Sequence, residues 1–78
     1  MPVVVRYFAA LREHRGVESE SVDLQTGETA AALYTRLVPT RGQGRLPVLY
    51  AVNHAYAEPG TVLRDGDEVA FLPPLGGG

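Results

Sequence analysis

The residues best placed to do chemistry lie at the end of the chain, in Pro73-Pro74-Leu75-Gly76-Gly77-Gly78. Two prolines stiffen the base of this segment, and three glycines keep its end thin enough for a narrow passage. Six extended residues reach roughly 20 Å. Such a segment threads a tunnel in another protein and places the carboxylate of Gly78 at a remote centre. A glycine-rich end is also the composition of an inert terminus, so the body that carries it decides between the two. The rest of the sequence offers little competing chemistry. No cysteine is present, which removes thiolate nucleophiles, thiolate metal sites and disulfides. All seven basic residues are arginine, so no lysine amine is available. No Ser-His-Asp order, phosphate loop or dinucleotide fingerprint occurs.

Three smaller clusters read as structure. Asp65-Gly66-Asp67-Glu68 has too few spaced oxygens for a calcium loop and reads as a turn between solvated carboxylates. Arg41-Gly42-Gln43-Gly44-Arg45 is a surface loop in an acidic chain. His14 and His54 lack partners at zinc spacing and read as surface histidines, so no metal is expected.

The 78 residues suffice for one small body. A hydrophobic share of 45% is that of a globular domain. A net charge of −2 and a pI near 5.5 argue against nucleic acid or an anionic membrane as partner. No run approaches the roughly 20 apolar residues of a membrane span, and no signal-peptide pattern opens the chain. A cytoplasmic location is expected.

Val3 to Phe8 is β-branched and aromatic, a strand with Val3, Val5 and Tyr7 on one face and Val4, Arg6 and Phe8 on the other. Ala9 to Arg15 forms one or two helical turns stopped by Gly16, and Glu20 to Gln25 alternates as a returning strand. Thr29 caps a helix over Ala30–Val38, with Ala30, Leu33, Tyr34, Leu37 and Val38 on its apolar side and Glu28 placed to meet the helix dipole. Pro39 ends it, and Thr40 to Leu46 is loop. Val48 to Asn53 is a strand, Asn53-His54 a tight turn into Ala55 to Ala57, and Glu68 to Leu72 the last strand, stopped by Pro73-Pro74. One main helix on one face of a small mixed sheet is the arrangement that hides Leu33 and Leu37. The expected class is therefore α+β, a β-grasp or ubiquitin-like body over residues 1–72 with an extended tail over 73–78. The first and last strands are expected at its centre.

Leu63 to Pro74 (LRDGDEVAFLPP) followed by Gly77-Gly78 resembles the small-subunit family of molybdopterin synthase, within the ThiS/MoaD-like ubiquitin-like sulfur carriers. Tyr7-Phe8-Ala9, Leu11-Arg12-Glu13, Thr29 with Leu33, and Val52-Asn53 extend the likeness over essentially the whole chain. Gly76 departs mildly from the small non-glycine residue common there. The resemblance implies a sulfur carrier that binds no cofactor and is not itself an enzyme. An ATP-dependent activating enzyme adenylates Gly78, a sulfur donor converts it to a thiocarboxylate, and the tail (Pro73, Pro74, Leu75, Gly76, Gly77) enters the large catalytic subunit. There the sulfur builds the dithiolene of molybdopterin, with two carriers on a large-subunit dimer. Strand alternation and the matching family positions together point to an interface of Phe8, Tyr56 and Leu72. Completing the core is the alternative for each of the three, more so for Tyr56 than for Phe8. Arg12 is a candidate to pair with acidic partner residues, the alternative being a solvated helical arginine. Related carriers for thiamine or tRNA thiolation, a protein modifier, and a non-covalent ubiquitin-like module are the alternatives.

Overall fold

The computed structural model describes residues 2–38 and 48–72. The expected 40–46 loop and the 73–78 tail therefore lie wholly outside the described residues. Among the described residues seven elements follow in order: β1 (Val3–Tyr7), α1 (Ala10–Arg15), β2 (Ser19–Val22), α2 (Ala30–Leu37), β3 (Leu49–Val52), β4 (Ala55–Ala57) and β5 (Glu68–Leu72). They build a five-stranded sheet in the order β2-β1-β5-β3-β4, with β1 and β5 parallel and the remaining pairs antiparallel. The apolar strands β1 and β5 do sit inside the sheet, because each has neighbours on both sides. Among the described residues no helix is long and apolar enough to cross a membrane.

Alternation decides the two faces. Val3, Val5 and Tyr7 of β1, and Val69 and Phe71 of β5, are buried under α2. From α2 come Ala30, Leu33, Tyr34 and Leu37, each buried. An eight-residue helix is too short to persist alone, so its stability comes from this packing, about 1.5–3 kcal/mol for each large apolar side chain removed from water. Phe71 is the hub of the core. Its ring lies 5.1 Å from Tyr34 and 5.9 Å from both Tyr7 and Tyr50, centroid to centroid. Thr29 caps α2 as expected, its Oγ1 accepting from the Ala32 N–H at 3.1 Å.

Three local expectations are corrected and one is extended. The returning strand covers Ser19–Val22, not Glu20–Gln25, because Arg36 takes the Asp23 carbonyl at 2.9 Å and the Glu28 side chain takes the Gln25 N–H at 2.9 Å. Glu28, expected to meet the helix dipole, is in addition a buried ion-pair partner. It is 5% exposed, and Arg36 grips both its oxygens at 2.8 Å. Ala9 stands outside the first helix at φ 52, ψ −129, the first corner of a tight turn closed by Leu11 N–H donating to Phe8 C=O at 3.1 Å. Asp67 is engaged rather than merely solvated: it accepts from Arg64 N–H and from Asn53 Nδ2, each at 2.9 Å.

Candidate functional site

Among the described residues, nothing covers the face of the sheet away from α2, where Val4, Leu49 and Tyr56 are exposed. Its register places Arg6 of β1 beside Ala70 of β5, Ala70 beside Ala51 of β3, and Ala51 beside Tyr56 of β4. The two central positions of that row carry only methyl groups, while the two outer ones carry long side chains. A depression of about 300 Å³ results. Ala51 and Ala70 line it, together with Arg6, Phe8, Tyr56, Leu72, His54 and Glu68.

Each wall has a local cause. Phe8 leaves β1 at the Ala9 turn with 37% of its surface exposed. Arg6 lies over its ring, the guanidinium carbon 5.9 Å from the centroid. Tyr56, 72% exposed on the edge strand β4, forms the opposite wall. At the far end the Asn53-His54 turn is fastened onto β5. Asn53 N–H donates to Glu68 C=O at 2.7 Å, and Asn53 Oδ1 accepts from Glu68 N–H at 2.9 Å. Both turn residues have positive φ, 52 and 71, the geometry of a two-residue hairpin turn. This fastening brings His54 Nε2 to 3.6 Å from Glu68 Oε2, the oxygen that Arg6 approaches at 3.5 Å.

Of the residues expected at an interface, Phe8, Tyr56 and Leu72 come together on this depression. None of the three completes the buried core. Arg12 stands apart on α1, exposed, and does not line it. Pro73 to Gly78 lie outside the described residues, but Leu72, the residue before them, closes one end of the depression. Arg6, Ala51, His54, Glu68 and Ala70 are additions. Strand alternation already puts Arg6 on the face of Phe8. His54 and Glu68 meet only because β3 pairs with β5 and Asn53 bonds to Glu68, a long-range pairing that has no signature in sequence spacing.

Comparison with known proteins covers nearly the whole chain. The ThiS family pattern matches residues 5–78, from the first strand through the closing glycines. The chain belongs to the ThiS family. Among curated relatives of this family member, the molybdopterin synthase sulfur carrier subunit of Chlamydomonas reinhardtii is 35% identical over 83 residues, covering 100% of both proteins. That of Homo sapiens is 37% identical, covering 97% of this chain and 93% of its own length. Among solved structures, a putative molybdopterin converting factor subunit 1 from Pyrococcus furiosus superposes with a TM-score of 0.76 at 30% identity, covering 96% of this chain and 99% of that one. The small archaeal modifier protein 1 of H. volcanii gives 0.79 at 25% identity, with 95% and 98% covered. A complex of subunits 1 and 2 of the molybdopterin-converting factor from Helicobacter pylori gives 0.64 at 26%, with 100% of each chain covered. The ubiquitin-like β-grasp class expected from the sequence is the fold observed.

Proposed function

We propose that this chain is the sulfur carrier of molybdopterin synthase, a subunit that delivers sulfur and leaves catalysis to its partner. The observation that carries the reading is the end-to-end match to sulfur carrier subunits, in which the shared segment includes the terminal glycines. The chemistry suits a chain without cysteine. A carboxylate resists acyl transfer until it acquires a leaving group. An activating enzyme supplies one by joining the Gly78 carboxylate to the α-phosphate of ATP with loss of pyrophosphate. A sulfur donor then displaces AMP, leaving a thiocarboxylate whose sulfur is the nucleophile. The body docks through the depression beside Leu72, and Pro73 to Gly77 carry the sulfur into the large subunit. ATP is consumed by the activating enzyme and is not held by this chain, and the cytoplasm supplies both enzymes.

Intact-mass spectrometry of the chain co-expressed with its activating enzyme and sulfur donor tests this. A species with one oxygen replaced by sulfur is expected, and deleting Gly78 removes both that species and molybdopterin formation. Persistence of either in the deletion variant refutes the reading. The likeness to an archaeal modifier protein favours a second reading, in which activated Gly78 is passed to amines of other proteins. Covalent adducts on target lysines, found without any molybdopterin deficit on deletion, would select it. Lysine-linked chains of this protein are excluded, since it has no lysine.

A further inference from the structure

The last register pairs of β5 are Leu72 with Leu49 on the β3 side and Phe71 with Tyr7 on the β1 side. On the β3 side, Asn53 N–H donates to Glu68 C=O at 2.7 Å, which marks 53 and 68 as a bonded antiparallel position. Bonded positions recur at every second residue, so Ala51 with Ala70 and Leu49 with Leu72 are the next two. One step further the same register sets 47 against 74, and both are proline. Two prolines have no N–H to exchange, so neither bond of that rung can form. On the β1 side, Val4 N–H donates to Asp67 C=O at 3.0 Å in the parallel ladder. Four residues on, that pattern aims the N–H of residue 73 at Phe8 C=O. Residue 73 is again proline, and Phe8 C=O already accepts from Leu11 N–H at 3.1 Å. The turn that makes this bond holds Ala9 at φ 52, ψ −129, a strained conformation for any residue but glycine.

We infer that these features form a two-sided stop, which removes both partners of the next rung on each flank of β5 and so fixes how much chain is left to reach a partner enzyme. The inference rests on the sulfur-carrier reading and assigns Pro47 and Pro74 as positioning residues for adenylation of Gly78. Successive residues of a strand direct their N–H groups to opposite neighbours, so one proline silences one flank only. Pro73 closes the flank towards β1 and Pro74 the flank towards β3, which accounts for two prolines in succession. The reciprocal groups are withdrawn as well: the donor by Pro47, and the acceptor by the strained Ala9 turn. The stop matters for reach. Residues 73–78 extend roughly 20 Å, and each residue added to the ladder takes about 3.3 Å from that length. A rung at 47 and 74 would fasten two of them and leave about 13 Å.

Native-state amide hydrogen exchange on the full chain tests the stop, and ATP–pyrophosphate exchange with the activating enzyme tests its use. Pro47→Val combined with Pro74→Val returns both donors of the missing rung. Its new amides at 47 and 74 are expected to exchange about tenfold more slowly than in an unfolded chain. Pro74→Val alone returns one bond, is expected to give a smaller protection, and decides the matter if the double variant does not fold. Pro73→Val returns an N–H aimed at an occupied carbonyl, so its new amide is expected to exchange at the unfolded rate. In the adenylation assay the double variant is expected to lose about tenfold in kcat with little change in KM, because the body still binds while the carboxylate falls about 7 Å short. Inserting two glycines after Leu75 in that variant is expected to restore kcat. If the new amides at 47 and 74 exchange at the unfolded rate, or the one at 73 is protected, the two-sided stop is refuted while the carrier reading stands. Protected amides with unchanged kcat, or no recovery on glycine insertion, refute its link to reach. If wild type supports no pyrophosphate exchange, the carrier reading falls and takes the link to reach with it, and the amide measurement still decides the stop.

Discussion

Replacing Glu28 by alanine is the sharpest test of what holds this body together. The carboxylate is buried, accepts Gln25 N–H at 2.9 Å, and is gripped through both oxygens by Arg36 at 2.8 Å, while Arg36 also reaches the Asp23 carbonyl at 2.9 Å. One side chain thereby ties the loop before α2 to the last turn of α2. Removing one partner of a buried pair costs about 3–5 kcal/mol. Arg36 is partly exposed and finds water when released, so the cost falls below that range, to about 2–3 kcal/mol. A chain of this length has a total stability of about 4–12 kcal/mol, so the loss is a large fraction of it. Thermal unfolding followed by circular dichroism should show a drop of about 10–20 °C. The pH dependence gives an independent check. The Arg36 guanidinium holds the Glu28 carboxyl below the usual carboxylate range, against the opposing effect of burial. Because the folded value is the lower one, wild type keeps this stabilisation above the ordinary glutamate value of about 4.3 and loses it as pH falls through the folded value. In Arg36→Met the carboxylate is buried without its cation, its folded pKa rises, and stability recovers as pH falls. A Glu28→Ala protein within about 0.5 kcal/mol of wild type, or an Arg36→Met protein with the acid profile of wild type, would refute this account of the pair.

Ala9→Gly should stabilise the chain by about 1 kcal/mol, since φ 52, ψ −129 suits glycine and the relief of strain exceeds the added entropy of the unfolded chain. A lower melting temperature would contradict the turn geometry. Tyr7→Phe removes the 2.6 Å hydrogen bond that the Tyr7 hydroxyl donates to Glu20 and should cost about 1 kcal/mol. Glu20 stays fastened by Arg15 Nε at 2.7 Å, so a loss above about 3 kcal/mol in urea unfolding would mean that the network is not separable in this way.

Much of the fold is legible because its signals are local. The alternation of Val3, Val5 and Tyr7 against Val4 and Arg6 survives unchanged as buried and outward faces. The spacing of Ala30, Leu33, Tyr34 and Leu37 is the buried side of α2, and Asn53-His54 is the hairpin turn. The misreadings share a different origin. Asp23 to Gln25 alternate as a strand would, yet their backbone groups are claimed by Arg36 and Glu28 from farther along the chain. Ala9 has strong helix propensity but is held at positive φ, because the chain must turn sharply from β1 into α1. Neither competitor is visible within a short window.

The division at the functional end follows the same physics. Composition and order alone determined a chain without thiol or lysine chemistry, a ubiquitin-like body, and a Pro-Pro-to-glycine segment as its reactive candidate, because these depend on which residues exist and on periods of two and three to four. Only the tertiary structure decided what surrounds the root of that segment. Arg6, Ala51, Tyr56 and Ala70 lie in one row, and His54 meets Glu68, through hydrogen-bonded register between strands far apart in sequence. Register is a property of pairing, set by the core packed on the opposite face. For that reason the depression, with its arginine wall and alanine floor, exists only once α2 has buried the other side of the sheet.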